Sequence, residues 1–407
     1  MSMCLSEILS DIGLNEEMVL KRRRAWLQRE SLATLAHRLK GIQQTIYMFG
    51  SLTEGTTTFG MRSDNDMLIY YDIHNVVSGI EDCKPEKINL LVFSEVSTPP
   101  GYCLLSQVQR DTPFHRLKQT LLPHGLFQIF FNYLNAIDDN EYKLHGPALR
   151  VKGRFDPNDQ DYVYAYHCQA WPSSARTWLT EEGIGGWPTK EMKSFAETNG
   201  CFLVGVGSKG SDMEQYEYRI STSLAERCLM FSLNITQIRC YVLMKMIIKT
   251  FIHPCGDSII TSYMCKTVLF HCIQHTYSTL WQESELLYCL TLCLSALQYC
   301  VLIGNCPHFI IRENNSMEGR FTKEFRTVFI EQMRHIILDN GLSLRHAEYD
   351  ELGIRLQCKM KHVSRNMDSI YHLPRLGLIV LASYCVTLAR VFKIFIRSSY
   401  PLQCMKM

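Results

Sequence analysis

The sequence predicts an α+β chain with three parts: a long N-terminal helix, a lobe of mixed β-sheet and helix, and a C-terminal lobe of helices alone. Three observations carry this. Leu32, Leu35, Leu39, Ile42 and Ile46 recur at three- and four-residue steps, the apolar stripe of a helix. From Met48 to about Ser223 the pattern changes to short β-rich runs bounded by turn residues. Beyond Ser223, long apolar stretches free of Pro and Gly take over, such as "CYVLMKMIIKTFI" and "LLYCLTLCLSALQYCVLI". The expected boundaries are therefore 1–47, 48–225 and 226–407.

Taken in order, the N-terminal helix is expected to reach residue 47, with a break near Gly13. Its polar side carries Lys21, Arg22, Arg23 and Arg24 in one cluster. Such a run is either a solvated helix face or a contact for a phosphate backbone. Strands are expected at "DMLIYYD", "INLLVFSE", "GYCLLSQV", "PALRVKG", "DYVYAYHC", "CFLVGVG" and "YEYRIS", with a helix over Phe114–Leu134. A cleft between the two lobes is the expected binding place.

Composition bounds the function. Hydrophobic residues make up 46% of the 407 and charged residues 20%, an ordinary globular balance. The net charge of +2 means that any nucleic-acid contact must come from a local basic patch. Seventeen scattered cysteines, with no basic-then-apolar leader opening the chain, suggest reduced thiols and a cytoplasmic protein. The sequon Asn234-Ile235-Thr236 would then stay unglycosylated. Leu376–Ala389 carries no charge, but Arg390 and Lys393 interrupt it before membrane-spanning length, so a core helix and no membrane are expected.

The chemistry concentrates in "MFGSLTEGTTTFGMRSDNDMLIYYD" (Met48–Asp72). Asp64 and Asp66 are one residue apart, so on an extended segment their side chains share a face. Two carboxylates so placed repel unless a cation lies between them, and a hard divalent ion with oxygen ligands suits the position. The plainer reading is a solvated Ser-Asp-Asn-Asp turn. Ahead of them, Gly50 lets the backbone approach a phosphate and Ser51 adds a hydroxyl. The role of Glu54 stays open.

A Gly-Ser turn followed at this spacing by alternating carboxylates on a strand resembles the nucleotidyltransferase fold. "YRISTSLAE" (Tyr218–Glu226) resembles the W-R-L-S-F-S-x-x-E signature of cyclic GMP–AMP synthase and its male-abnormal-twenty-one-like relatives. "LMKMIIK", "SYMCKTVLFH" and "CPHFIIRENN" resemble later motifs of that family, while "GYCLLS", "HGPALR", "WPSSARTW" and "GWP" resemble its invertebrate branch. Together these cover Met48 to about Asn315.

The resemblance implies a bilobal nucleotidyltransferase fold with a spine helix and a C-terminal helical lobe. It implies that Gly50 and Ser51 contact a triphosphate and that Asp64, Asp66 and Asp161 coordinate two Mg²⁺ or Mn²⁺ ions. Asp156 and Asp159 compete for the third place from the turn-like "FDPND". Arg219, Ser221, Glu226, Lys245, Ser262 and Tyr263 would bind nucleotide, with Tyr263 stacking on a base. Each has a plainer alternative. Tyr263 could only pack the core, Lys245 could lie on a helix surface, and Arg219 could pair with Glu217 or Glu226.

The implied activity is that of a cyclic GMP–AMP synthase-like receptor of innate immunity. It would join ATP and GTP into a cyclic dinucleotide read by a downstream receptor. Lys21, Arg22, Arg23 and Arg24 would bind the activating nucleic acid. Double-stranded RNA is favoured over DNA, because the vertebrate zinc insertion has no counterpart between Glu226 and Lys245 and no structural zinc is expected. Cys272 and His275 lack a matching second pair. Tyr218 stands where the signature has Trp. Two other functions remain open: a non-catalytic scaffold and template-independent RNA tailing.

Overall fold

A computed structural model describes residues 1–125, 142–151, 159–252, 259–366, 386–393 and 395. The N-terminal region is two helices, α1 (Ser2–Asp11) and α2 (Glu16–Leu39). Gly13, at φ +85°, breaks them apart, and the Asn15 side chain caps α2 by accepting from the Met18 N–H at 2.9 Å.

The expected helix to residue 47 overshoots. After Leu39 the chain turns through Gly41, at φ +78°, and enters strand β1 (Gln44–Phe49). In "QTIYMF" every second residue is buried and the rest are aromatic or β-branched, a strand pattern that the helical spacing of Leu39, Ile42 and Ile46 had masked.

The expected apolar stripe is also not a core face, since Leu32, Leu35, Leu39 and Ile42 are exposed. Helix α2 reaches the core through Val19 and Arg23 in its first half. Its second half covers the free edge of β1 with polar side chains. Thr34 Oγ1 pairs with both the N–H and the C=O of Ile46, at 3.0 and 3.2 Å, and Glu30 accepts from the Met48 N–H at 2.6 Å. An unpaired strand edge is thereby satisfied.

The remaining strands are β2 (Asn65–Tyr71), β3 (His74–Val77), β4 (Ile88–Phe93), β5 (Tyr102–Val108), β6 (Tyr142–His145), β7 (Ala148–Val151), β8 (Gln160–Cys168), β9 (Cys201–Val204) and β10 (Glu217–Ser221). They form one mixed sheet in the order β1-β2-β8-β9-β10-β5-β4-β3, with β7 joining β8 and β6 outside β7. Pairing is antiparallel except for β2–β8 and β3–β4. All seven expected strands are present. β1, β3 and β6 were not foreseen.

A short helix, α3 (Gly50–Glu54), links β1 to β2, and α4 (Arg176–Thr180) and α5 (Lys190–Asn199) lie between β8 and β9. After β10 come α6 (Ser223–Phe231), α7 (Ile235–Ile247), α8 (Ser262–Gln274), α9 (Leu286–Ile303), α10 (Lys323–Leu338) and α11 (Leu352–Asn366). Their apolar faces share one core with α1 and part of the sheet.

The segment 283–303 is long and apolar enough to cross a membrane, but 61% of it is buried in the protein, as a core helix requires. The expected helix from Phe114 is a 3₁₀ turn over Phe114–Thr120, and residues 126–134 lie outside the described ones. So do residues 376–385 of the uncharged C-terminal stretch. Among the described residues, fourteen cysteines are free, most of them buried.

Candidate functional site

Strand register assembles the centre of the site. Phe49 on β1 pairs with Asp66 on β2, Asp66 with Asp161 on β8, and Asp161 with Arg150 on β7. Residues in one cross-strand row point to one face, so two carboxylates and a guanidinium stand side by side. Asp64 lies just ahead of β2. Asp159 accepts the Asn65 N–H through its backbone carbonyl, 2.9 Å, and its charge also acts on Arg150; Asp156 lies outside the described residues.

The turn after Phe49 is laid directly on Asp66. Gly50 has φ +77°, and a Cβ there would lie 1.9 Å from Asp66 Oδ2, so glycine is required twice over. Burial pushes the Asp66 carboxyl up to about 7, with the negative charges of Asp64, Asp161 and Glu54 adding to the effect.

Lysines from the C-terminal helices face these anions. Lys266 on α8 lies 2.5 Å from Glu54 Oε1, while the other Glu54 oxygen is buried without a hydrogen-bond partner among the described residues. Lys245 on α7 donates to Ser51 Oγ at 3.0 Å and to the Thr56 carbonyl at 2.6 Å. Lys249 donates to the Met61 carbonyl at 3.2 Å. Asp350 holds the same loop from below α11, accepting from the Gly60 N–H at 2.8 Å and from the Thr58 hydroxyl. Lys245 is thus buried beside the turn, not on a helix surface.

Burial brings the Lys245 ammonium down to about 7 from 10.5. Between those values the unfolded chain holds the extra proton, so this group makes stability rise with pH from about 7 to 10.5. Lys245→Met should flatten that part of the wild-type stability curve by a few kcal/mol, on the order of 1.4 per pH unit. Urea melts at pH 7, 8.5 and 10 would check this. Parallel curves for both proteins would refute it.

A second group gathers around Glu226, in the first turn of α6. Its Oε1 accepts from the Thr222 hydroxyl at 3.0 Å and from the Tyr263 hydroxyl at 3.5 Å, with His308 Nε2 3.7 Å away. The Tyr263 and His308 rings stand 5.8 Å apart. Arg219 is exposed on β10, and its charge helps to push the His308 imidazolium down, after burial. Glu217 is not its partner, because that carboxylate is fully buried and accepts from the Ser208 N–H and the Ser211 hydroxyl. Ser221 donates to the Ser223 hydroxyl at 3.2 Å, and Ser262 is exposed at the start of α8. The charges of both Glu54 and Glu226 reach Lys266, so the two groups adjoin.

The basic run Lys21–Arg24 does not form one face. Lys21 and Arg24 are exposed, but Arg22 and Arg23 turn inward. Arg22 donates to the carbonyls of Gly13 and Thr57, at 2.9 and 3.0 Å. Arg23 is 6% exposed and donates to the carbonyls of Glu54, Met230 and Phe231 at 2.9–3.0 Å. Successive helix positions are 100° apart, so four adjacent cations cannot all meet one ligand. The reading of Arg22 and Arg23 as nucleic-acid contacts is corrected accordingly, since both are tied to the protein itself. Arg23→Ala should cost about 3–5 kcal/mol by leaving buried carbonyls without donors. Lys21→Ala should stay within about 0.5 kcal/mol. Denaturant melts would separate them, and equal effects would overturn the assignment.

Sequence reasoning missed four participants. Arg150, in "HGPALR", donates to both Asp161 oxygens, at 2.9 and 3.1 Å, and to Asp64 Oδ2 at 3.0 Å. Lys266 and Lys249 lie within the stretches "SYMCKTVLFH" and "LMKMIIK", but neither had been given a role. Arg227 binds Glu30 at 2.6 Å and the Met48 carbonyl at 3.0 Å, joining α2, β1 and α6. Only the register of β7 on β8 could have pointed to Arg150.

As placed, no three Asp, Glu, His or Cys side chains among the described residues stand close enough to hold a metal ion. Arg150 engages two of the three expected ligands instead. The donor chemistry still fits a hard divalent cation: all the donors are carboxylate oxygens, and burial, with the negative charges around it, pushes the Asp66 carboxyl up to about 7. The stretch from Glu226 to Lys245 runs through α6 and α7, and α7 opens on a capping box of Asn234 and Gln237.

Residues 236–335 match a family model described as the Mab-21 protein HhH/H2TH-like domain. The match begins in α7 and ends within α10, so it covers about a quarter of the chain, within its C-terminal helices. No curated protein matches the chain.

Proposed function

We propose that the chain is a nucleotidyltransferase that joins ATP and GTP into a cyclic dinucleotide messenger of innate immunity, switched on by double-stranded RNA. The observation that carries this reading is the single row of Asp66 and Asp161 beneath the Gly50–Ser51 turn. Asp64, Asp66 and Asp161 would hold two Mg²⁺ or Mn²⁺ ions. Bound there, such ions lower the pKa of an attacking hydroxyl and offset the charge of an in-line displacement.

The chain's own groups supply the rest. Ser51 and Lys245 present donors where a triphosphate would lie against the turn, and an arriving polyanion would favour the charged form of Lys245. Tyr263 offers an aromatic face for a base, while Glu226, Arg219, Ser221 and Ser262 offer polar contacts to base, sugar or phosphate.

Lys21 and Arg24 on the exposed side of α2 would meet the RNA backbone. Arg22, Arg23 and the Glu30–Arg227 pair would transmit a shift of α2 to the turn, because they bond α2 to residues 48, 54 and 57. A cytoplasmic site of action and a separate receptor for the product complete the reading. Without a zinc insertion, double-stranded DNA is the weaker candidate. A second reading, a non-catalytic scaffold, is favoured by one observation: Arg150 already pairs with both Asp64 and Asp161.

Mass spectrometry of the purified chain with ATP, GTP and Mn²⁺, with and without long duplex RNA or DNA, tests the choice. A cyclic dinucleotide that depends on RNA supports the enzyme. Absence of product under every condition supports the scaffold.

A further inference from the structure

Arg150 has no place in the proposed chemistry, yet it hydrogen-bonds both outer carboxylates. Its bidentate grip on Asp161 comes from opposite positions on paired strands, so the two backbones set the geometry and not a chance surface rotamer. The same guanidinium reaches Asp64 at 3.0 Å. It thereby spans the gap that a dication held by these carboxylates would fill.

The Arg150 side chain is 36% exposed and that of Asp64 45%, so solvent and ions reach the pair. Residue 150 lies one position from the end of β7. Among the described residues, the lysines of the site bond elsewhere, Lys266 to Glu54, Lys245 to Ser51 and Thr56, and Lys249 to Met61, although the Lys249 charge also acts on Asp64.

We propose that Arg150 is a positioning residue that acts as a built-in counter-ion, holding Asp64 and Asp161 in the metal-free chain and competing with divalent metal for both. Metal and guanidinium share ligands, so each weakens the other's hold by the same factor. The site would load only when Arg150 leaves, which makes metal entry a step that a ligand could control. This rests on the reading of Asp64, Asp66 and Asp161 as metal ligands.

The test is Mn²⁺ binding to the full chain without nucleotide, read by electron paramagnetic resonance of free Mn²⁺ and by the Mn²⁺-induced rise in melting temperature. Arg150→Gln should bind Mn²⁺ about tenfold more tightly than wild type, within the usual range of coupling between competing ligands. Arg150→Lys, which keeps the charge, should stay near wild type. Arg150→Gln should also melt lower than wild type without metal and recover when Mn²⁺ saturates it.

If Arg150→Gln binds Mn²⁺ as wild type does, or more weakly, the competitor role is overturned while the metal-site reading survives. If neither protein binds, and Asp161→Asn changes nothing, both fail together. A melting curve of metal-free Arg150→Gln shows that it folds, and Arg150→Lys supplies the comparison if it does not.

Discussion

Asp64→Asn/Asp66→Asn is expected to abolish dinucleotide formation, by at least about 10³-fold, with stability changed only by the balance between relieved carboxylate repulsion and the lost, solvent-exposed Arg150–Asp64 pair. Both effects come from the same charges. If the carboxylates hold the metals, replacing two of them removes the charge that retains the ions and so most of the stabilisation of the displacement. In the folded chain the same carboxylates repel each other, and Asp66 is disfavoured as an anion by burial and by Asp64, Asp161 and Glu54.

The sign follows from proton counts. Between its unfolded value of 3.8 and its folded value of about 7, the folded state holds the extra proton on Asp66. Wild-type stability from this group therefore falls as pH rises across that window. In Asp66→Asn that slope disappears. The single variant should melt at or above the wild-type temperature at pH 8 in a chelator, while its product falls below detection. A variant that keeps more than a tenth of wild-type product would remove Asp66 from the chemistry. One that melts well below wild type would show that the carboxylate has a structural partner.

Gly50→Ala should damage the site from within its own turn. The new Cβ would sit 1.9 Å from Asp66 Oδ2 and would force an L side chain into φ +77°. The backbone term alone is about 1–2 kcal/mol. Relief of the clash must move the turn, Asp66, or both, and Ser51 and Lys245 move with the turn. A displacement on the order of 1 Å at reacting groups commonly costs about 10²-fold in rate. The expected result is a drop of that size in product formation, with a modestly lower denaturant midpoint. Near-normal activity would mean that the turn does not grip substrate as placed here.

Much of this site was legible in the sequence because its signals are local. The one-residue spacing of Asp64 and Asp66, the Gly-Ser turn and the motif ending at Glu226 can each be read within a dozen residues. Asp161 was legible only as a strand carboxylate; the parallel pairing of β2 with β8 put it beside Asp66. Lys245 was equally consistent with an exposed helix face. Packing of α7 against the turn decided otherwise.

The failures share a cause. Leu39, Ile42 and Ile46 keep helical spacing across a real boundary, because periodicity counts apolar residues and does not register the left-handed turn at Gly41. The "KRRR" run looked like one patch because linear charge density ignores the 100° step of a helix. In the fold that step sends Arg22 and Arg23 to backbone carbonyls and leaves Lys21 and Arg24 to solvent. Arg150 could not be recognised at all, since its partners Asp64 and Asp161 are 86 and 11 residues away.

The sequence by itself determined the secondary-structure class, the turn, the first two carboxylates and the helices that carry Lys245 and Tyr263. These depend on periodicity, turn chemistry and spacing, which act over one or two turns of chain. Only the tertiary structure decided which charges face one another. Electrostatic pairing depends on distances in space, and strand register sets those distances between residues far apart in sequence.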